Sequence, residues 1–293
     1  MKCRKKLKIA VASGKGGVGK TFVATNLVFA LNDDGYRVSL VDCDAEEPNA
    51  KVFFDAEVEK LTPVMTLIPH INEKKCVFCG KCYEYCNYNA IFYLPELKTI
   101  KVLDDLCHSC GACTVACVHD AITENEKQIG KVSHYKILKD SYLVESCMNV
   151  GVYSPVPVIN KAIQSLECDI SVFDAPPGTS CPFIHTVSNS DFVVLVTEPT
   201  PFGLSDLKQS VETLRQMNKP CGVIINRAGI GDNGVANFLK KENIPLLLEI
   251  PFDKEISYFY SWGELIVKDR PELKAGLLKV FKYICDKYGN SCN

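Results

Sequence analysis

The sequence predicts an α/β protein, a mostly parallel sheet with helices on both faces, into which a small cysteine-rich module is spliced. Three observations carry that prediction. An apolar run, Leu7–Ala12, leads directly into the glycine-rich stretch Gly14-Lys15-Gly16-Gly17-Val18-Gly19-Lys20-Thr21, and residues 22–33 beyond it have helical character. Further runs at Val38–Asp42, Ile170–Phe173, Phe192–Val196 and Cys221–Ile225 are apolar without polar alternation, as strands buried on both faces of a parallel sheet require. Between about Leu67 and Ser133 this pattern stops, and two closely similar cysteine units take its place.

The glycine stretch has the strand, loop, helix setting of a nucleotide triphosphate site. Its glycines let successive backbone N–H groups turn inward around a phosphate, Lys20 supplies a point charge for the β and γ phosphates, and Thr21 offers a hydroxyl to Mg²⁺. Gly14, Gly16, Gly17, Val18 and Gly19 make the cradle, so ATP and Mg²⁺ are the expected ligands. Lys15 goes beyond the general motif. A second lysine this early in the loop resembles the deviant Walker A of the MinD, ParA, Mrp and nitrogenase iron protein class. That resemblance implies a homodimer in which Lys15 reaches the partner subunit's nucleotide.

The chain of 293 residues accommodates one large domain and one small one, and 33 basic residues against 35 acidic ones point to neither nucleic acid nor a charged membrane surface. The basic start is followed by an apolar run too short for a signal peptide, and no transmembrane span follows, so a cytoplasmic location is expected. The C-terminal stretch Pro271–Tyr288 places Leu273, Leu277, Leu278, Val280, Phe281 and Ile284 on one helical face. Its charges are mixed, which predicts docking on the chain's own sheet and not stable membrane attachment.

Sixteen cysteines are too many for an ordinary enzyme of a reducing compartment. Eight of them form Cys76-x₂-Cys79-x₂-Cys82-x₃-Cys86 and Cys107-x₂-Cys110-x₂-Cys113-x₃-Cys117, each followed at the same distance by Ala-Ile. Three thiolates this close wrap one iron–sulfide cube, with the fourth ligand from the other unit, as in two-cluster ferredoxins. The expected ligand sets are Cys76, Cys79, Cys82 and Cys117 for one [4Fe-4S] cluster and Cys86, Cys107, Cys110 and Cys113 for the other. Zinc is the competing metal, since thiolates bind it well. Asn87 and Val118 stand where proline commonly follows the fourth cysteine, which removes a rigid turn and not a ligand. Tyr83, Tyr85, Tyr88 and Phe92 are expected to pack as a small apolar shell. The module is thus an inserted ferredoxin-like domain at residues 67–133, with the ATPase domain formed by residues 1–66 and 134–293.

Acidic residues at strand ends complete the expected nucleotide site. By resemblance to the same class, Asp42-Cys43-Asp44 begins switch I, with Asp44 orienting or activating the attacking water and Asp42 near Mg²⁺. Asp174-Ala175-Pro176-Pro177-Gly178-Thr179 resembles switch II of Mrp and MinD relatives, where Asp174 suits water-mediated contact to Mg²⁺. Asn226, at a strand end, corresponds to the residue that reads adenine in relatives; capping of the strand end is the alternative. Pro251-Phe252-Asp253 is a candidate second wall. Cys181 follows Asp174 at the offset at which nitrogenase iron protein places a cysteine of its intersubunit cluster, and the alternatives are a third cluster with Cys147 or two structural thiols.

Three functions fit these parts. The first couples nucleotide state to electron transfer in metal-cofactor metabolism, through ATP hydrolysis in a homodimer and a redox partner. The alternative is an assembly or carrier ATPase that hands an iron–sulfur or metal cofactor to a client. The third is a regulatory switch of the Min and Par kind, for which neither a basic DNA-binding face nor a membrane helix is evident.

Overall fold

A computed structural model describes residues 6–166 and 168–289; Cys3 and Cys292 lie outside them. By contact density the chain forms two compact units: the described residues of Met1–Leu61, Val132–Cys147 and Ile159–Asn293, and a second made of Thr62–Lys131 and Met148–Val158.

Strand β1 (Leu7–Ala12) and strand β2 (Val38–Asp42) flank helix α1 (Lys20–Asp33) in sequence, and all three are largely buried. Eleven residues of α1, from Lys20 to Leu31, are shielded, so this helix is buried on nearly every side, and Thr25 and Asn26 turn their polar atoms back to the carbonyls of Thr21 and Phe22. Strand β3 (Val58–Ile71) then leads into the second unit, which contains helix α2 (Lys81–Glu84), the hairpin β4 (Ile91–Leu94) and β5 (Thr99–Val102), and helix α3 (Ala112–Ala116). Strand β6 (Ile122–Leu138) leads back, turning at Asp140 into β7 (Ser141–Met148).

The remaining elements alternate as the apolar runs imply: α4 (Val156–Gln164), β8 (Ile170–Asp174), α5 (Cys181–Ser188), β9 (Phe192–Thr197), α6 (Pro201–Gln216), β10 (Cys221–Ala228), α7 (Gly234–Lys241), β11 (Leu246–Pro251), α8 (Lys254–Ser261) and α9 (Pro271–Tyr288). The strand order is β11-β10-β9-β1-β8-β2-β7-β6-β3, and every neighbouring pair from β11 to β7 is parallel. Parallel pairing brings the carboxyl ends of the central strands to one edge. Val11 pairs with Asp174, and Asp174 with Asp42, which sets the loops after β1, β2 and β8 side by side.

Within the second unit, β4 and β5 pair antiparallel from Ile91↔Val102 to Leu94↔Thr99. A small core of Cys82, Ile91, Ile100 and Ile122 holds the unit together. The expected tyrosine shell does not form: Tyr83, Tyr85, Tyr88 and Phe92 are all exposed. Helix α2 has four residues, too few to present an inward aromatic face, and Ile91 and Cys82 fill the interior instead.

Helix α9 does dock within its own unit, burying Leu273, Leu277, Val280, Phe281 and Ile284 in the cluster that also contains Leu27 and Leu31 of α1. Among the described residues no helix is long and apolar enough to cross a membrane. Phe281 meets Tyr36 edge to face at a centroid distance of 5.1 Å. Phe281→Ala is therefore expected to cost about 3–5 kcal/mol in urea unfolding followed by far-UV circular dichroism. A loss of about 0.5 kcal/mol or less, the value for an exposed position, would show that the helix is not part of the core.

Candidate functional site

The loop between β1 and α1 is shaped by glycines that no other residue replaces without strain. Gly17 and Gly19 have φ of 77° and 100°, and a Cβ on Gly19 would sit 2.4 Å from Asn226 Nδ2. A Cβ on Gly14 would fall 2.5 Å from the Asp206 carbonyl oxygen. The loop is closed by Asn226 Nδ2, which donates to the Val18 carbonyl at 2.8 Å, and by the Gly178 amide, which donates to the Ser13 carbonyl at 3.2 Å.

Beside this loop lies a cavity of about 1170 Å³ of atom-free space, part of it open to solvent. Gly16, Gly17, Gly19, Lys20 and Thr21 line one side, with Asp44, Asp174 and Asn226 facing in from other strand ends. Pro251, Phe252 and Asp253 form a further wall, and Ile256, Ser257 and Tyr260 of α8 continue it. Gly14, Lys15, Val18 and Asp42 are not on this lining.

The charges in the cavity are poorly hydrated. Burial lowers the Lys20 pKa against the opposing attraction of Asp174 and Asp44. Burial raises Asp174 to about 6 despite the Thr21 hydroxyl and the Lys20 charge, and its Oδ1 has no hydrogen-bond partner. Asp44, half-buried, is raised by burial as well and accepts from the Glu47 amide at 3.4 Å. Asp42 is fully buried and its pKa is pushed well up by burial and by Asp174. Its carboxylate accepts from the backbone N–H groups of Asp44 (3.1 Å), Asn49 (2.9 Å) and Ala50 (2.9 Å), so it shapes the acidic loop from beneath. An unpartnered, buried carboxylate oxygen beside a helix-start threonine and a buried lysine is a donor set that suits a divalent cation with a polyphosphate.

Lys15 points elsewhere. Its Nζ lies 3.8 Å from Glu198 Oε2, and Arg227 pairs with the other oxygen of the same carboxylate. Asn226, besides closing the loop, accepts from the Arg227 amide at 2.9 Å through Oδ1, which leaves one amide N–H and one lone pair for a ligand.

The second unit places the eight spaced cysteines around two small cavities, each of about 350 Å³ of atom-free space that is largely open to solvent. Cys76, Cys79, Cys82 and Cys117 line one, with His119; Cys86, Cys107, Cys110 and Cys113 line the other, with His108. The two surrounds repeat in backbone detail. Phe78 and Ser109, third in each Cys-x-x-Cys, have φ of 56° and 54°, and their amides donate to the sulfurs of Cys76 and Cys107 at 3.4 Å in both cases. Gly80 and Gly111 repeat at φ of 76° and 71°, and Asn89 and Asp120 at 52° and 47°. Burial raises the Cys82 thiol to about 11, and raises Cys107 and Cys113 with added repulsion from neighbouring thiols. Among the described residues no group of three or more His, Cys, Asp or Glu converges closely enough for a single metal ion.

Cys147 ends near the close of β7 and Cys181 opens α5. His108 stacks on Tyr88 at 3.7 Å and meets Tyr153 at 4.3 Å. Sequence reasoning missed Tyr260 and the rest of the α8 wall, which no motif spells out, and the Glu198 partner of Lys15.

The chain matches the nucleotide-binding domain model of the CobQ/CobB/MinD/ParA type over residues 9–266. It is 33% identical to an uncharacterised protein of Methanocaldococcus jannaschii over 267 residues, 89% of this chain and 91% of that one. It is 26% identical to an iron-sulfur cluster carrier protein of Aquifex aeolicus over 288 residues, 90% of this chain and 62% of that one. Among solved structures, the septum site-determining protein MinD with Mg-ADP from Pyrococcus horikoshii is similar, with a TM-score of 0.60 and 20% identity over 97% of each chain. Glycine loop, parallel strand order and sequence match agree: the chain belongs to the CobQ/CobB/MinD/ParA family of nucleotide-binding proteins and has its P-loop fold.

Proposed function

We propose that the protein is a Mg²⁺-dependent ATPase that holds iron–sulfur groups on its two cysteine quartets and delivers them, under nucleotide control, to a client protein. The observation that carries this reading is the presence, in one chain, of a cavity lined by the glycine loop, Lys20 and Thr21 and of two cavities each lined by four cysteines. Relatives named iron-sulfur cluster carrier proteins, from Aquifex aeolicus and Pyrococcus horikoshii, support delivery over the electron-donor role that the cluster spacings first suggest.

In the nucleotide cavity the loop amides and Lys20 receive the phosphates, and the phosphate charge offsets the cost of keeping the Lys20 ammonium buried. Thr21 and the bare oxygen of Asp174 would hold Mg²⁺, directly or through water, and the cation would neutralise charge developing on the phosphates. Asp44 faces the cavity where it can orient a water for attack on the γ phosphate, while Asp42 positions the loop that carries Asp44. Asn226 keeps one N–H for the adenine edge. Lys15 leaves Glu198 and reaches the nucleotide of a second copy, so the active form is a homodimer closed on ATP.

In the second unit, thiols forced together in half-buried positions have raised pKa values, and positively charged iron favours their thiolate forms. Four cysteines line each cavity, a ligand set that suits a cube of several atoms. When bound, such cubes store low-potential electrons. Four sulfurs around each cavity leave no ligand to be supplied by a client. That observation favours a second reading, an ATP-gated electron donor that keeps both clusters.

Reconstituted with labelled iron and mixed with an apo acceptor, the protein is expected to transfer label on adding Mg-ATP; full retention together with ATP-dependent reduction of a partner would establish the electron-donor reading. Cys117→Ser is expected to abolish the cluster of the first quartet, leaving about four of eight irons and one unaltered spectrum. Loss of the second quartet's cluster instead would show that each fourth cysteine serves its own unit. By equilibrium dialysis Lys20→Ala should lose ATP binding, while Lys15→Ala should bind ATP but hydrolyse it slowly and stay monomeric in sedimentation; normal turnover by the second variant would contradict the role given to Lys15.

A further inference from the structure

Glu198 directly follows β9 and is 8% exposed, and its carboxylate is shared between two cations. One oxygen lies 3.8 Å from Lys15 Nζ, and the other takes the Arg227 guanidinium. The backbone beneath this carboxylate is fixed. The Glu198 carbonyl accepts from the Thr200 amide at 2.8 Å, and Gly203 packs so closely that an added Cβ would sit 2.3 Å from that carbonyl oxygen. The backbone of Lys15 is tied as well, since the Ser13 hydroxyl donates to its carbonyl. Its Nζ therefore travels by rotation of the side chain.

Arg227 closes a circuit back to the glycine loop. It is held at φ 55°, a left-handed conformation that costs a non-glycine residue energy, and its amide donates to Asn226 Oδ1 at 2.9 Å. Asn226 Nδ2 in turn donates to the Val18 carbonyl at 2.8 Å. Such strain persists where the surroundings over-determine a residue, and here the outcome is a guanidinium on Glu198. A buried carboxylate that loses its only cation is costly, whereas one that keeps a second cation stays compensated. We propose that Arg227 is a positioning residue acting through Glu198: it retains the carboxylate when Lys15 swings out to the nucleotide of a second copy, and so lets the dimer close. The proposal rests on the role given to Lys15 under the proposed function.

Sedimentation of the full chain with a non-hydrolysable Mg-ATP analogue tests it. In Arg227→Met, release of Lys15 strands Glu198 without a cation, and dimerisation is expected to weaken about a hundredfold or more. Glu198→Gln removes the hold on Lys15 and leaves Arg227, whose side chain is 42% exposed, to water. Its dimerisation is expected to tighten about fivefold, the worth of a solvent-accessible ion pair. The double variant should dimerise like Glu198→Gln, because without the carboxylate Arg227 has nothing to retain. An Arg227 that serves only the fold or only the nucleotide gives a double variant as weak as Arg227→Met, and that result overturns the proposal. Glu198→Gln dimerising no better than the wild type overturns it too. If the wild type stays monomeric with the analogue, the role of Lys15 fails first and this proposal with it.

Discussion

Two carboxylates buried side by side set the terms for the rest of the first unit. Asp42 and Asp174 sit at paired positions on adjacent central strands, and neither sees appreciable solvent. Burying a carboxylate costs several kcal/mol unless charge or hydrogen bonds compensate. The two are compensated differently. Asp42 takes three backbone N–H groups, and in doing so bends the acidic loop that carries Asp44. Asp174 keeps one oxygen bare and leans on Lys20, itself buried. Two acids whose pKa values burial raises stand with one buried base at the mouth of a glycine loop, a site suited to a cation and a phosphate together.

The sheet's parallel register is what brings these groups together, and it was legible in the sequence for a simple reason. Strands buried on both faces lose polar alternation, so Val38–Asp42 and Phe192–Val196 read as core strands without further help. The glycine loop was legible because left-handed φ at Gly17 and Gly19 admits few alternatives. Tyr260 was not legible. Its contacts depend on where α8 packs, and a single tyrosine in an amphipathic octapeptide carries no spacing that announces a ligand. The return of Met148–Val158 to the second unit was equally hidden, since it follows β7 without a change in composition. That return gives β7 a double allegiance. Ser146 donates to the Asp42 carbonyl at 2.7 Å, and the same strand continues as covalent chain into the unit that contains the cysteines.

In the second unit the spacing, read with the two-cluster ferredoxin pattern, grouped the eight cysteines into the two sets that line the two cavities, because thiols with two residues between them can face one centre only through a tight turn. The structure shows that turn twice, with matching positive φ at Phe78 and Ser109 and matching N–H to sulfur bonds. The crossed membership, Cys117 beside the first triplet and Cys86 beside the second, ties the two halves of the small unit to each other. The tyrosines nearby were misjudged because a four-residue helix offers no inward face for them.

The central claim is that the nucleotide held by one unit governs the iron held by the other. The rate at which a ferrous chelator removes iron from the reconstituted protein, compared without nucleotide, with Mg-ADP and with a non-hydrolysable Mg-ATP analogue, tests it most directly. The account predicts that the rate differs between the diphosphate and triphosphate states in the wild type and becomes nucleotide-independent in Lys20→Ala. Identical rates in all three states would mean that the two units share a chain without sharing a function.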